Sequence, residues 1–78
     1  MSAKNKPRFL ETIALSGEDM LVPIKDIKCV YIKHKENGSW VIVIQGENNN
    51  FQAEECFGED FENLEIRLDQ IKSIIGAE

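Results

Sequence analysis

The chain has 78 residues, with nine Lys or Arg against fourteen Asp or Glu and a formal net charge of −5. That length predicts one small domain burying only about 60% of its unfolded surface, and the 42% hydrophobic content is that of a globular chain, not a disordered one. No run approaches the ~18 apolar residues of a spanning helix, and an acidic balance weighs against general binding to nucleic acid or anionic membranes, because affinity for phosphate comes from Lys and Arg.

The charge is unevenly spread. Residues 1–35 hold seven bases and four acids, whereas residues 36–78 hold two bases, Arg67 and Lys72, and ten acids. A local basic face in the first half is compatible with the acidic total. Cys29 and Cys56 stand in no metal-binding spacing, and in a reducing compartment they read as two buried thiols.

Residues 1–7 (MSAKNKP) read as a loose polar tail, leaving one α+β domain over 8–78. The tail has no apolar core of the kind a secretory signal needs, so a cytoplasmic protein is expected. Residues 8–15 form a first strand, with Phe9, Glu11, Ile13 and Leu15 on one side and Leu10, Thr12 and Ala14 on the other. Residues 16–19 (SGED) have turn composition. Residues 20–24 follow as a short second strand, which Pro23 either confines to an edge or ends, because it cannot donate to a ladder. Residues 25–27 connect to the next element, with Asp26 capping a single helical turn or sitting in a bend.

Residues 28–45 (KCVYIKHKENGSWVIVIQ) dominate the chain. Two runs rich in β-branched and aromatic residues flank Asn37-Gly38, the dipeptide that best tolerates the two left-handed positions of a type I′ hairpin turn. A two-residue loop pairs Lys35 with Trp40, Lys33 with Ile42, Ile32 with Val43 and Tyr31 with Ile44. One face then carries Val30, Ile32, His34, Val41 and Val43. The other carries Cys29, Tyr31, Lys33, Lys35, Trp40, Ile42 and Ile44. Both faces are apolar, which a sheet with one side in water does not need.

Residues 46–50 (GENNN) signal a turn, and residues 51–56 a fifth strand with Phe51, Ala53 and Glu55 on one side. The period then changes. Phe61, Leu64, Leu68, Ile71 and Ile75 recur at helical spacing, widened by Phe57, Ile66 and Ile74. Acids crowd the start of this segment and Lys72 lies near its end, as the helix dipole favours. A helix over 59–75, closed by Gly76 in a left-handed cap, would run ~26 Å.

These elements predict an α+β fold: an antiparallel meander of four or five strands, curling toward a small barrel or lying open, followed by one amphipathic helix. The helix is expected to cover Val30, Ile32, Val41 and Val43. The far face is then left with an apolar patch, which marks an interface.

Chemistry is sparse. His34 and Cys29 alternate onto opposite faces, and nothing else supports a His34–Cys56 dyad. No nucleophile elbow, phosphate loop or zinc motif occurs. Glu54-Glu55 and Glu59-Asp60 read as solvated carboxylates, not an acid–base pair with split pKa values. Glu47 with Asn48, Asn49 and Asn50 lacks the spacing of a calcium loop. No catalytic residue, cofactor or metal is expected. The acids Glu59, Asp60, Glu62, Glu65 and Asp69 read as a solvated helix side. The expected function is a small non-enzymatic interaction or regulatory module, a homodimer or the binder of a protein partner. Its contact would be made by Tyr31, Lys33, Lys35, Trp40, Ile42 and Ile44. The alternative is single-stranded nucleic acid stacked on Tyr31 and Trp40 and held by Lys33 and Lys35.

Overall fold

The central hairpin turns on three residues, not two. In the computed structural model, which describes residues 8–76, Gly38 N donates to Lys35 O at 2.9 Å and Lys35 N to Ser39 O at 2.8 Å. Ser39 N donates to the Asn37 side-chain oxygen at 2.9 Å. Within this loop only Gly38 is left-handed, at φ 90°. Asn37 is not, so the type I′ turn is replaced by a tight turn completed by a left-handed glycine, the three-residue hairpin loop.

Every pair moves by one as a result. β3 (Ile27–His34) and β4 (Trp40–Gly46) pair His34 with Trp40, Lys33 with Val41, Ile32 with Ile42, Tyr31 with Val43 and Val30 with Ile44. A one-residue slip exchanges the faces of one strand against the other. Trp40, Ile42 and Ile44 therefore join Val30 and Ile32, while Val41 and Val43 join Tyr31 and Lys33. The larger apolar side chains go to the face that the helix covers, and the smaller valines go with the lysines.

β5 (Gln52–Gly58) pairs with the other side of β4, giving the order β3-β4-β5. Ile44 faces Ala53 and Ile42 faces Glu55. The register shifts between Trp40, which faces Gly58, and Val41, which faces Cys56, so Phe57 is the extra residue. β1 (Phe9–Ile13) and β2 (Asp19–Pro23) form a separate antiparallel pair. In β1, Leu10 and Thr12 are buried while Phe9, Glu11 and Ile13 are exposed, as the alternation predicts. A 3-10 turn at Ile24–Asp26 leads into β3. Asp26 is its last residue and Pro23 precedes it, so Asp26 does not cap it. Among the described residues one isolated bridge, Ala14 to Ala53, joins the two sheets, and no barrel closes.

α1 (Phe61–Ile75) starts later than its acidic approach suggests. Asp60 is the N-cap, and its carboxylate accepts from Asn63 N at 3.1 Å. Leu64 and Ile71 are fully buried, with Phe61, Leu68, Ile74 and Ile75 packed at the margin. Ile66 falls outside the stripe and is 52% exposed. Gly76 ends the helix, donating its N–H to Lys72 O at 2.8 Å, but at φ −96° and not in the left-handed region. Its glycine is explained by crowding instead, since a Cβ there would lie 2.9 Å from Lys72 O.

The core gathers Leu10, Val22, Ile42, Ile44, Ala53, Leu64 and Ile71 between the sheets and α1. The fold is α+β, five antiparallel strands in two sheets followed by a C-terminal helix. The tail expected at residues 1–7 lies outside the described residues.

Candidate functional site

The six residues expected to share a contact surface are divided by the slip. Tyr31, Lys33 and Lys35 lie on the open face of the three-stranded sheet. Trp40, Ile42 and Ile44 lie on the face beneath α1, and Ile42 and Ile44 expose no surface. Trp40 is sandwiched at the helix start. The His34 ring stacks on it at 4.0 Å and Phe61 meets it edge-on at 4.7 Å. It is committed to packing. The single apolar contact face, and the stacking platform that required Trp40 beside Tyr31, are not formed.

The open face is not a bare apolar patch either. Val41 and Val43 belong to it, yet they are 0% and 1% exposed. Lys33 and Cys56 flank Val41 across the strands, and Tyr31 and Glu54 flank Val43. The Lys35 ammonium meets the Glu54 carboxylate at 3.1 Å, so an ion pair reaches across β4 from the β3 side to β5. Long side chains thus shield the valines with their stems and keep their charges in water.

The most developed polar cluster lies on the other side. Alternation along β5 carries Ala53 and Glu55 inward, and Glu55 is only 6% exposed. Its expected solvation is therefore corrected. Arg67, from the second turn of α1, donates Nε to Glu55 Oε1 at 2.7 Å and Nη2 to Oε2 at 2.9 Å, a bidentate fork. Thr12 Oγ1 donates to Oε2 at 2.6 Å, and Arg67 Nη2 also reaches the Glu11 carbonyl at 2.7 Å. Burial pushes the Glu55 carboxyl up, but the Arg67 and Thr12 hydrogen bonds and the Arg67 charge outweigh it and leave the carboxyl below its ordinary value. The hydrogen bond that Arg67 donates to Glu55 correspondingly raises Arg67.

Every polar atom of this cluster is paired, so it clamps β1, β5 and α1 together and presents no free group to a substrate. Glu54 points to the opposite face, which separates the two adjacent carboxylates and removes them as an acid–base pair. A sequence signal for the clamp existed. Glu55 shares an inward side with Phe51 and Ala53, and Arg67 is one of only two bases after Lys35. The partners come from distant segments, so local pattern could not join them.

His34 lies on the helix side of β3 and Cys56 on the open side, so they form no dyad. The cysteines are free, Cys56 exposed and Cys29 half-buried, in place of the two buried thiols expected. Among the described residues no three His, Cys, Asp or Glu gather as metal ligands. Asn48 and Asn49 are left-handed, at φ 55° and 60°, and serve the bend between β4 and β5. An open groove is lined by Arg8, Phe9, Pro23, Ile24 and Lys25. Glu62, Glu65 and Asp69 are exposed along α1.

The remaining unsatisfied chemistry is backbone. β3 has eight residues, more than any other strand, and β4 is its only partner among the described residues. The Lys35–Ser39 hydrogen bond fixes which residues face β4. Counting by twos, Lys33, Tyr31 and Cys29 direct their N–H and C=O toward β4, so Val30, Ile32 and His34 direct theirs outward. β2 is also an edge, but it has five residues and is blunted by Asp19 and Pro23.

Compared with protein-family models, curated proteins and solved structures, the chain matches none.

Proposed function

We propose that this protein is a non-enzymatic interaction module that binds by strand addition along the outer edge of β3. One observation carries the reading. Three consecutive outward backbone pairs, at Val30, Ile32 and His34, lie on the longest strand with no proline and no pairing strand among the described residues, and the strand's one bulge, between Ile27 and Cys29, lies outside them. A partner strand would pair with them through main-chain hydrogen bonds, and the alternating side chains would set specificity. The two free thiols suit a reducing compartment, and we place the module in the cytoplasm. Nucleic acid is disfavoured by net charge and by Trp40 being packed against Phe61.

The test is capture on immobilised protein. His34→Pro removes one outward N–H and no ladder bond to β4, and circular dichroism checks that α1 survives. Partners should be lost on His34→Pro and kept on Glu62→Ala, which alters the exposed side of α1. Equal capture by wild type and His34→Pro refutes the reading.

A further inference from the structure

We infer that the strand added to β3 is the β3 of a second copy of this chain, antiparallel and centred on Ile32. This rests on the strand-addition reading above. A two-fold axis at Ile32 sets Val30 opposite His34 of the second copy and Ile32 opposite itself. All three outward groups are then used, in about six backbone hydrogen bonds.

The same alignment sorts the side chains. Lys33 falls opposite Tyr31 of the second copy on the open face, where Tyr31 is 44% exposed and its ring can accept an ammonium over its face. Beyond the paired residues, Lys28, exposed at the register shift between Ile27 and Cys29, lies toward Glu36 of the second copy, exposed in the hairpin loop. The symmetry makes each of these pairs twice. Neighbouring alignments that keep the same backbone groups paired are worse. Centred on Lys33, the axis places Lys33 against its own copy. Centred on Tyr31, it brings Glu36 toward Asp26. Like charges directly opposite destabilise a strand pair, so charge selects the Ile32 alignment.

Sedimentation of the full chain tests this at low salt, from about 1 µM to about 1 mM. A dimer is expected. Lys28→Glu and Glu36→Lys should each raise its dissociation constant about tenfold, and the double swap should return it to within about threefold. Added salt should shrink all three differences. A mass of 8.9 kDa at every concentration overturns the second copy as partner, while capture by wild type but not His34→Pro would still stand for strand addition. A dimer indifferent to both swaps but dissolved by His34→Pro overturns the alignment. A dimer that survives His34→Pro overturns strand addition itself.

Discussion

Replacing Arg67 by Met probes the clamp among β1, β5 and α1 most directly. Methionine keeps the aliphatic bulk and removes the fork. Glu55, with its side chain 8% exposed, then retains only the Thr12 hydroxyl, and the Glu11 carbonyl loses its donor. Removing one partner of a buried pair costs about 3–5 kcal/mol. The Arg67 side chain is 24% exposed, so some solvent reaches the site and the lower end applies, about 3 kcal/mol. For a domain of this size that corresponds to a fall in Tm of about 15 °C.

The pH dependence gives the sharper readout. In the wild type the Glu55 carboxyl is depressed in the folded state. Its contribution is therefore complete above the unfolded value, about 4.3, and is lost as pH falls through the lower folded value. In Arg67→Met burial persists while the fork and charge are gone, so the folded value is expected to rise above about 4.3. Stability is then lost as pH climbs through that raised value. The gap between the two proteins should be narrow at pH 3 and widest near pH 7, measured by urea unfolding at each pH. Adding Glu55→Leu to Arg67→Met should recover most of the loss, because an apolar pair of similar bulk replaces the ion pair. A single-variant cost under about 1 kcal/mol, or an equal cost at pH 3 and pH 7, would refute a buried charge pair at this site.

Two further outcomes test the fold. Asp60→Ala should cost about 1 kcal/mol by removing the acceptor for Asn63 N, seen as a lower urea midpoint at unchanged slope. Ile42→Lys should cost more than about 4 kcal/mol because it points beneath α1, and Val41→Lys should cost less because its ammonium can leave by the open face. A two-residue hairpin loop would invert that order in thermal melts.

Much of the architecture was legible because its signals are periodic. The α1 stripe from Phe61 to Ile75 fixes a helix and its buried face, and the alternation of Leu10 and Thr12 with Phe9, Glu11 and Ile13 fixes the inward side of β1. The hairpin was visible, but its phase was not. Asn37-Gly38 fits a two-residue loop with both residues left-handed and a three-residue loop with glycine alone left-handed. The choice between them moves every side chain of β4. Sequence did contain a criterion to decide it. A two-residue loop leaves two greasy faces for one helix to cover, whereas a three-residue loop sorts Trp40, Ile42 and Ile44 from Lys33 and Lys35. Glu55 and Arg67 were out of reach because their attraction depends on how α1 crosses β5.

The slip also changes which kind of contact the molecule can make. With two apolar faces, association would be a burial of side chains and any flat greasy surface would serve as partner. In the observed register α1 covers the strongly apolar face, and the Lys35–Glu54 pair with its neighbours covers the valines of the other. Burial of β4 is then satisfied within one chain, while Phe9, Leu15 and Leu21 stay exposed around the β1–β2 pair and three outward backbone pairs on β3 are left without a protein partner among the described residues. Their desolvation is tolerable only if another backbone replaces water group for group, which demands an extended strand in one direction and one alignment. Specificity therefore passes from the shape of a face to the spacing of Lys28, Tyr31, Lys33 and Glu36 along an edge. That spacing is symmetric about Ile32, a property that favours a copy of the same strand over an unrelated one.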